Sequence, residues 1–339
     1  IRVDRAPIVD LGTIGFAGDG MTCWLDGDDG RRAVAAGLAM QASMSRFGEI
    51  RTRAGRVIPL SVKVGIAVGP VRRFTVGDPT YLLLDTMVGH TLEQMAAAEE
   101  HAERGDVVLD TTAWEALRDI VTVREWREDE TSGQRFAVVS SLNADVPQTP
   151  WPDLDDRARS DEQWIPWLLP AVRQRLSMGE GEFLAELRPA VALFLRFSGI
   201  DYDDDPDAPD KLNRFVREVE QILMRYDGSF LQLTIGDKGS YLYAAFGAPI
   251  AHEDDAARAC AAALDLQAMA PRLGYLDPLQ IGITQGRMRT GAYGSQLSRT
   301  YGVLGDVVNL SARLMSAAPT GQILVSEITR SATGDAFTW

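Results

Sequence analysis

The chain has 339 residues, 45% of them hydrophobic and 24% charged, which suits two soluble domains with sizeable cores and excludes disordered, collagenous and coiled-coil architectures. Acidic residues outnumber basic ones 48 to 34, and a net charge of −14 repels phosphate backbones, so a general nucleic-acid partner is not expected. Two cysteines, Cys23 and Cys260, make no disulfide framework and point to a reducing, cytoplasmic setting. The longest apolar runs, such as Ala190–Leu195, fall far short of the ~20 residues that span a membrane. The sequence opens on Ile1 without Met and stops at Trp339 in what reads as mid-strand. It is therefore read as a segment of a longer protein, with further C-terminal domains.

Taken in chain order, the first recognisable feature is Phe16-Ala17-Gly18-Asp19-Gly20, a hairpin turn carrying a carboxylate. Gly65-Ile66-Ala67-Val68-Gly69 follows, and it returns as Gly282-Ile283-Thr284-Gln285-Gly286, 217 positions later (65 to 282). Gly18-Asp19 returns as Gly236-Asp237, and Val107-Val108-Leu109 as Ile323-Leu324-Val325. Solenoid repeats run at ~20–50 residues, so a period this long means a duplicated domain. Residues 1–139 form the first copy, residues 140–186 a linker, and residues 187–339 the second copy. The linker collects Pro147, Pro150 and Pro152, then Trp164, Ile165, Trp167, Leu168 and Leu169, and these bulky residues are expected to pack against a domain.

The second copy reads as a strand at Ala190–Phe197 and a helix at Lys211–Arg225. A hairpin of Phe230–Ile235 with Tyr241–Phe246, a helix at Ala256–Met269 and a strand at Leu279–Ile283 complete it. That order is the plan of a ferredoxin-like α+β layer. The six aspartates between Asp201 and Asp210 miss the EF-hand template, with Pro206 and Leu212 where Gly and Glu belong, and read as a solvated loop.

The chemistry concentrates in Arg299-Thr300-Tyr301-Gly302-Val303-Leu304-Gly305-Asp306-Val307-Val308-Asn309-Leu310-Ser311-Ala312-Arg313-Leu314. Asn309 and Arg313 are four apart and share one helix face, where an amide and a guanidinium would hold a sugar oxygen and a developing phosphoryl charge. From spacing alone, an ordinary exposed helix face reads equally well. The segment resembles the active-site helix of class III nucleotidyl cyclases. Two unequal copies in one polypeptide most resemble the tandem catalytic halves of soluble adenylyl cyclases. The resemblance implies two ferredoxin-like domains packed head to tail as a pseudo-symmetric pair within one chain, with one intact site shared between them.

Residue by residue, the resemblance implies that Asp19 is a metal-binding carboxylate of the first copy, for two Mg²⁺ or Mn²⁺ ions. Its partner aspartate would precede Ile1. In the second copy that aspartate is replaced by Arg196, which cannot ligate a cation, so Asp237 is left without its partner. The first copy has Gly89 and Glu93 where Asn309 and Arg313 stand, so the mirror site is dead. Lys238 matches the lysine that seats adenine. The second base-reading position falls on Gly302, leaving backbone groups of Gly302 and Val303 for the base. Lys63 matches a phosphate-binding lysine, although a solvated strand lysine reads equally well. The function implied is cyclisation of ATP to cyclic AMP and pyrophosphate. The opposing expectation is a catalytically inactive nucleotide-binding or regulatory module.

Overall fold

The computed structural model describes residues 13–17, 20–52, 55–147, 165–179, 185–236, 239–294 and 299–339. They fall into two compact units: Ile1–Arg72 with Val88–Leu154, and Arg73–Met87 with Asp155–Trp339.

The first copy opens with an antiparallel hairpin, β1 (Thr13–Ala17) and β2 (Gly20–Trp24), then α1 (Arg31–Met44). A short hairpin follows, β3 (Ile50–Arg51) and β4 (Val57–Ile58), and then β5 (Val64–Ile66). The long hairpin β6 (Arg72–Asp78) and β7 (Leu82–Val88) leads into α2 (His90–Glu100), β8 (Val107–Leu109), α3 (Thr111–Leu117), β9 (Val121–Glu128) and β10 (Arg135–Leu142). Strands β5-β8-β10-β9 make one sheet. Its side chains alternate as the period of two demands. Val107, Leu109, Ala137 and Val139 join Val34 and Leu117 in one core, while Val108, Phe136 and Val138 join Ala98 on the other face.

The second copy begins after a one-turn segment at Ile165–Trp167 and α4 (Pro170–Ser177). Its elements are β11 (Glu186–Phe197), α5 (Ala208–Arg225), β12 (Ser229–Thr234), β13 (Ser240–Phe246), α6 (Asp255–Leu273), β14 (Gln280–Gly294), β15 (Arg299–Leu304), α7 (Asp306–Ala317), β16 (Ile323–Val325) and α8 (Glu327–Ala332). The sheet order β12-β13-β11-β14 with two crossover helices is the ferredoxin-like arrangement expected, extended by β15 and by β16 on β14. Helix α5 buries Leu212, Phe215, Val216, Val219, Ile222 and Leu223 on one stripe, with Phe215 against Phe197 of β11 at 4.5 Å. It stops at a left-handed Asp227, whose N–H bonds Met224 while Gly228 N–H bonds Leu223, closing the last carbonyls.

The repeat seen in the sequence has a physical cause in both units. Gly65 and Gly282 sit in equivalent parallel ladders, Gly65 opposite Val108 and Gly282 opposite Leu324. At each glycine a helix crosses the strand with its backbone touching. A Cβ at 65 would meet Glu99 Cα at 2.7 Å, with Glu99 N and Met95 O as near. A Cβ at 282 would meet Leu314 C at 3.0 Å, with Ser311 O and Met315 N nearer still. Only glycine leaves room for the helix there.

Hairpin residues Arg73–Met87, read from sequence as part of the first copy, group with the second unit. Gly77 N–H donates to Asn213 Oδ1 at 2.9 Å, Asp78 N–H to Glu220 Oε2 at 2.8 Å, and Arg217 pairs with Asp78 at 2.7 Å. Tyr81 Oη donates to the Gly228 carbonyl at 3.1 Å. Glu220 is fully buried and its Oε1 has no partner. Burial, reinforced by the Asp78 charge, pushes its carboxyl up to about 8. The native state therefore retains a proton that the unfolded chain has released above its ordinary value near 4.5. Stability contributed here is present at low pH and is lost as pH rises from about 4.5 to 8. Glu220→Gln should flatten the second unit's unfolding midpoint in urea over that window and raise it at pH 8.5, measured against pH 5.

One expectation is corrected. Ile165 and Trp167 are 42% and 41% exposed, and Leu176 on α4 is 49% exposed. Leu168 and Leu169 are half-buried, so the expected packing fails for Ile165 and Trp167 but not for them; Arg173 of α4 donates to the carbonyls of Thr80 and Tyr81. Trp164 lies outside the described residues. The Asp201–Asp210 loop is a run of self-bonded turns, Asp201 accepting from the N–H groups of Asp203 and Asp204, with Asp205 paired to Lys211. No helix among the described residues is long and apolar enough to cross a membrane.

Candidate active site on the second unit

Helix α7 is held by its inner face. Ser311 is fully buried, and its Oγ lies 3.0 Å from the Ala192 carbonyl and 2.8 Å from that of Gly282. Thr284 Oγ1 donates to the Val307 carbonyl at 2.7 Å, and Val308 and Met315 are buried. The opposite face presents Asn309 and Arg313, both exposed. Neither side chain has a hydrogen-bond or ionic partner among the described residues. A rigid helix thus offers an amide and a guanidinium, one turn apart and free to engage a ligand. On the equivalent helix of the first unit, α2, Glu93 stands where Arg313 does and accepts from His90 at 3.1 Å. That face carries an acid where the other carries a cation.

Arg196 occupies the strand position where the resemblance calls for a carboxylate. Its Nε lies 2.7 Å from where a Cβ on Gly239 would stand, so the guanidinium lies against Gly239. A guanidinium is no ligand for a divalent ion. Asp19, Asp237 and Lys238 lie outside the described residues, so the structure neither assembles them with Arg313 nor separates them from it.

Lys63 is engaged in an ion pair. Its Nζ is 2.9 Å from Glu99 Oε1 and 3.0 Å from the Glu99 carbonyl. A phosphate role would require it to leave that ion pair. Val303 is 1% exposed, within the core formed by Ala190, Ala192, Tyr243 and Met288, and its carbonyl accepts from Tyr243 Oη at 3.0 Å. Its contribution to a base is therefore confined to the backbone.

Gly302 is the informative position. A Cβ there would meet Tyr293 Cδ1 and Cζ at 2.9 Å, and Cε1 nearer still. The ring of Tyr293, on the neighbouring strand β14, fills the space into which a residue-302 side chain would project. Gly291 pairs with Gly302, and Tyr293 is two residues along the same face. Burial raises the Tyr293 hydroxyl above its ordinary value, so it stays protonated through the neutral range. Sequence reasoning missed Tyr293 because only the β14–β15 register brings it to Gly302. The signal available in the sequence was the pair of opposed glycines beside an aromatic.

Residues 200–337 match the family model for the adenylate and guanylate cyclase catalytic domain. Adenylate cyclase type 10 of Homo sapiens is 21% identical over 288 residues, which is 77% of this chain and 18% of that protein. The protein of the same name from Rattus norvegicus is 22% identical over 295 residues, again 77% of this chain and 18% of that protein. The chain thus spans less than a fifth of the length of the curated relatives it matches. Among solved structures, the adenylyl cyclase CyaB from P. aeruginosa aligns at a TM-score of 0.41 and 24% identity, covering 45% of this chain and 83% of that one. The guanylyl cyclase Cya2 aligns at 0.41 and 27%, covering 44% and 81%. Over residues 200–337, then, this chain is similar to the adenylate and guanylate cyclase catalytic domain.

Proposed function

We propose that the chain belongs to an adenylyl cyclase that converts ATP to cyclic AMP and pyrophosphate. The observation that carries this reading is helix α7, anchored through Ser311 and Thr284 and presenting an unpartnered Asn309 and Arg313 one turn apart. In the reaction the ribose 3′-oxygen attacks the α-phosphorus, the 3′-proton is released, and the bond to pyrophosphate breaks. Asn309 holds the ribose in line for that attack. Arg313 offsets charge developing on the α-phosphoryl group and the departing pyrophosphate. Lys238 donates to N1 of adenine. Asp19 of the first copy is the proposed carboxylate for Mg²⁺ or Mn²⁺, because the corresponding strand of the second copy carries Arg196. No role is assigned to Lys63 beyond its ion pair with Glu99.

Base choice is the first test. Lys238 offers donors only, which suits N1 of adenine and not the N1–H of guanine. Losing one such contact costs roughly 1–3 kcal/mol, about 10–200-fold in kcat/KM. Full-length protein with Mg²⁺ or Mn²⁺ should therefore turn over ATP at least tenfold more efficiently than GTP, measured as cyclic nucleotide formed. Equal turnover would remove Lys238 as the discriminating group. Nucleotide binding without cyclic product would favour the regulatory module instead.

A further inference from the structure

We infer that Tyr293 takes the base-reading place that Gly302 leaves empty, its hydroxyl contacting the substituent at position 6 of the purine. The inference rests on the cyclase reading above, which puts the purine beside residues 302 and 303. Three observations carry it. The Tyr293 ring lies over the Cα of Gly302, in the space that a side chain at 302 would occupy. The hydroxyl has no hydrogen-bond partner among the described residues, whereas the buried hydroxyl of Tyr243 beside it is committed to the Val303 carbonyl. The side chain is half-buried, so the ring is positioned by packing while remaining accessible.

The chemistry fits a purine. A phenol supplies a flat apolar face and a hydroxyl able to donate or accept. It can accept from the 6-amino group of adenine or donate to the 6-oxo group of guanine. A carboxylate at the same place could only accept. On this chain, then, Tyr293 adds affinity for either base, and discrimination between them falls to Lys238. The competing reading is that Tyr293 only covers a glycine-paired hairpin, with no contact to the ligand.

The two readings separate when the ligand is altered with the protein. Full-length wild type and Tyr293→Phe are titrated with ATP and with purine riboside triphosphate, which lacks the 6-amino group, by calorimetry under non-turnover conditions. Tyr293→Phe keeps the ring over Gly302 and removes one oxygen. Wild type should bind ATP roughly three- to tenfold more tightly than the deamino analogue, the weight of one hydrogen bond. In Tyr293→Phe that preference should collapse to within twofold, with affinity for the analogue unchanged. A packing role would leave the preference intact or weaken both ligands equally, and either result overturns the inference. Binding of both nucleotides without any cyclic product would reject the enzyme reading while leaving the Tyr293 comparison decisive. Failure of wild type to bind ATP or GTP at millimolar concentration would overturn both.

Discussion

Arg313→Ala in full-length protein should lower cyclic nucleotide formation by about 10³-fold while leaving the fold intact. The stability half of this expectation follows from placement. Arg313 is exposed and has no partner among the described residues, and substitutions of that kind usually change stability by less than about 0.5 kcal/mol. Helix α7 keeps its anchors, since Ser311 still holds the carbonyls of Ala192 and Gly282. The activity half follows from charge. Removing one donor aimed at charge that develops in a transition state costs about 10²–10³-fold, and an arginine on a transferring phosphoryl group contributes 10³–10⁵-fold. Arg313→Lys should recover only part of the loss, because an ammonium keeps the charge but not the planar fork. If Asp19 serves the same site from the first copy, Asp19→Ala should be similarly inactive and the double variant no worse, as for residues that act as a unit. Asp237→Ala should stay near wild type. An Arg313→Ala protein that keeps its turnover would show that the α7 face is an ordinary helix surface.

The second copy was legible from sequence because its signals are local. Helix α5 carries an apolar stripe at helical spacing and ends at a left-handed Asp227 followed by a bonded glycine. Alternation in β12 and β13 gave the hairpin, and the order of elements then left few ways to build the sheet. Asn309 and Arg313 were legible for the same reason, since one turn of helix fixes their common face. Features that depend on distant segments were not legible. Glu220 reads as one more charge on an amphipathic helix, and only the approach of Gly77 and Asp78 makes it a buried carboxyl. Tyr293 reads as a strand aromatic until register sets it over Gly302. Trp167 erred the other way: composition argued for burial, but its side chain is 41% exposed while Leu168 and Leu169 beside it are half-buried. The repeated glycines lay between these extremes. Their period was read from sequence as a duplication, while the reason for glycine needed the helix above each strand.

That reason makes Gly282 the position where the smallest chemical change should do the most damage. Gly282→Val places three carbons where the backbone of α7 already lies, against Ser311 O, Met315 N and Leu314 C. Backbone in the middle of a helix cannot rotate aside as a side chain can, so α7 must lift from the sheet. Lifting it breaks the paired hydrogen bonds of Ser311 and uncovers Val308 and Met315. Overpacking alone costs about 1–3 kcal/mol, and a buried hydroxyl left unsatisfied adds about 1–3 kcal/mol. At about 2–4 °C per kcal/mol for a domain of this size, the second unit's unfolding temperature should fall by roughly 5–20 °C. Activity should suffer further, because Asn309 and Arg313 ride on α7 and a displacement of about 1 Å can cost 10²-fold. Gly65→Val is the matched control. It makes the same collision with Met95 and Glu99 of α2 in the first unit, on a helix whose exposed face carries Glu93 instead of an arginine. Both substitutions should destabilise their own unit, and both melts are read by calorimetry. Only Gly282→Val should depress kcat at a temperature where each variant is still folded. Wild-type kcat and melting in Gly282→Val would mean that α7 tolerates displacement and that the close approach at Gly282 does not hold the catalytic helix in place.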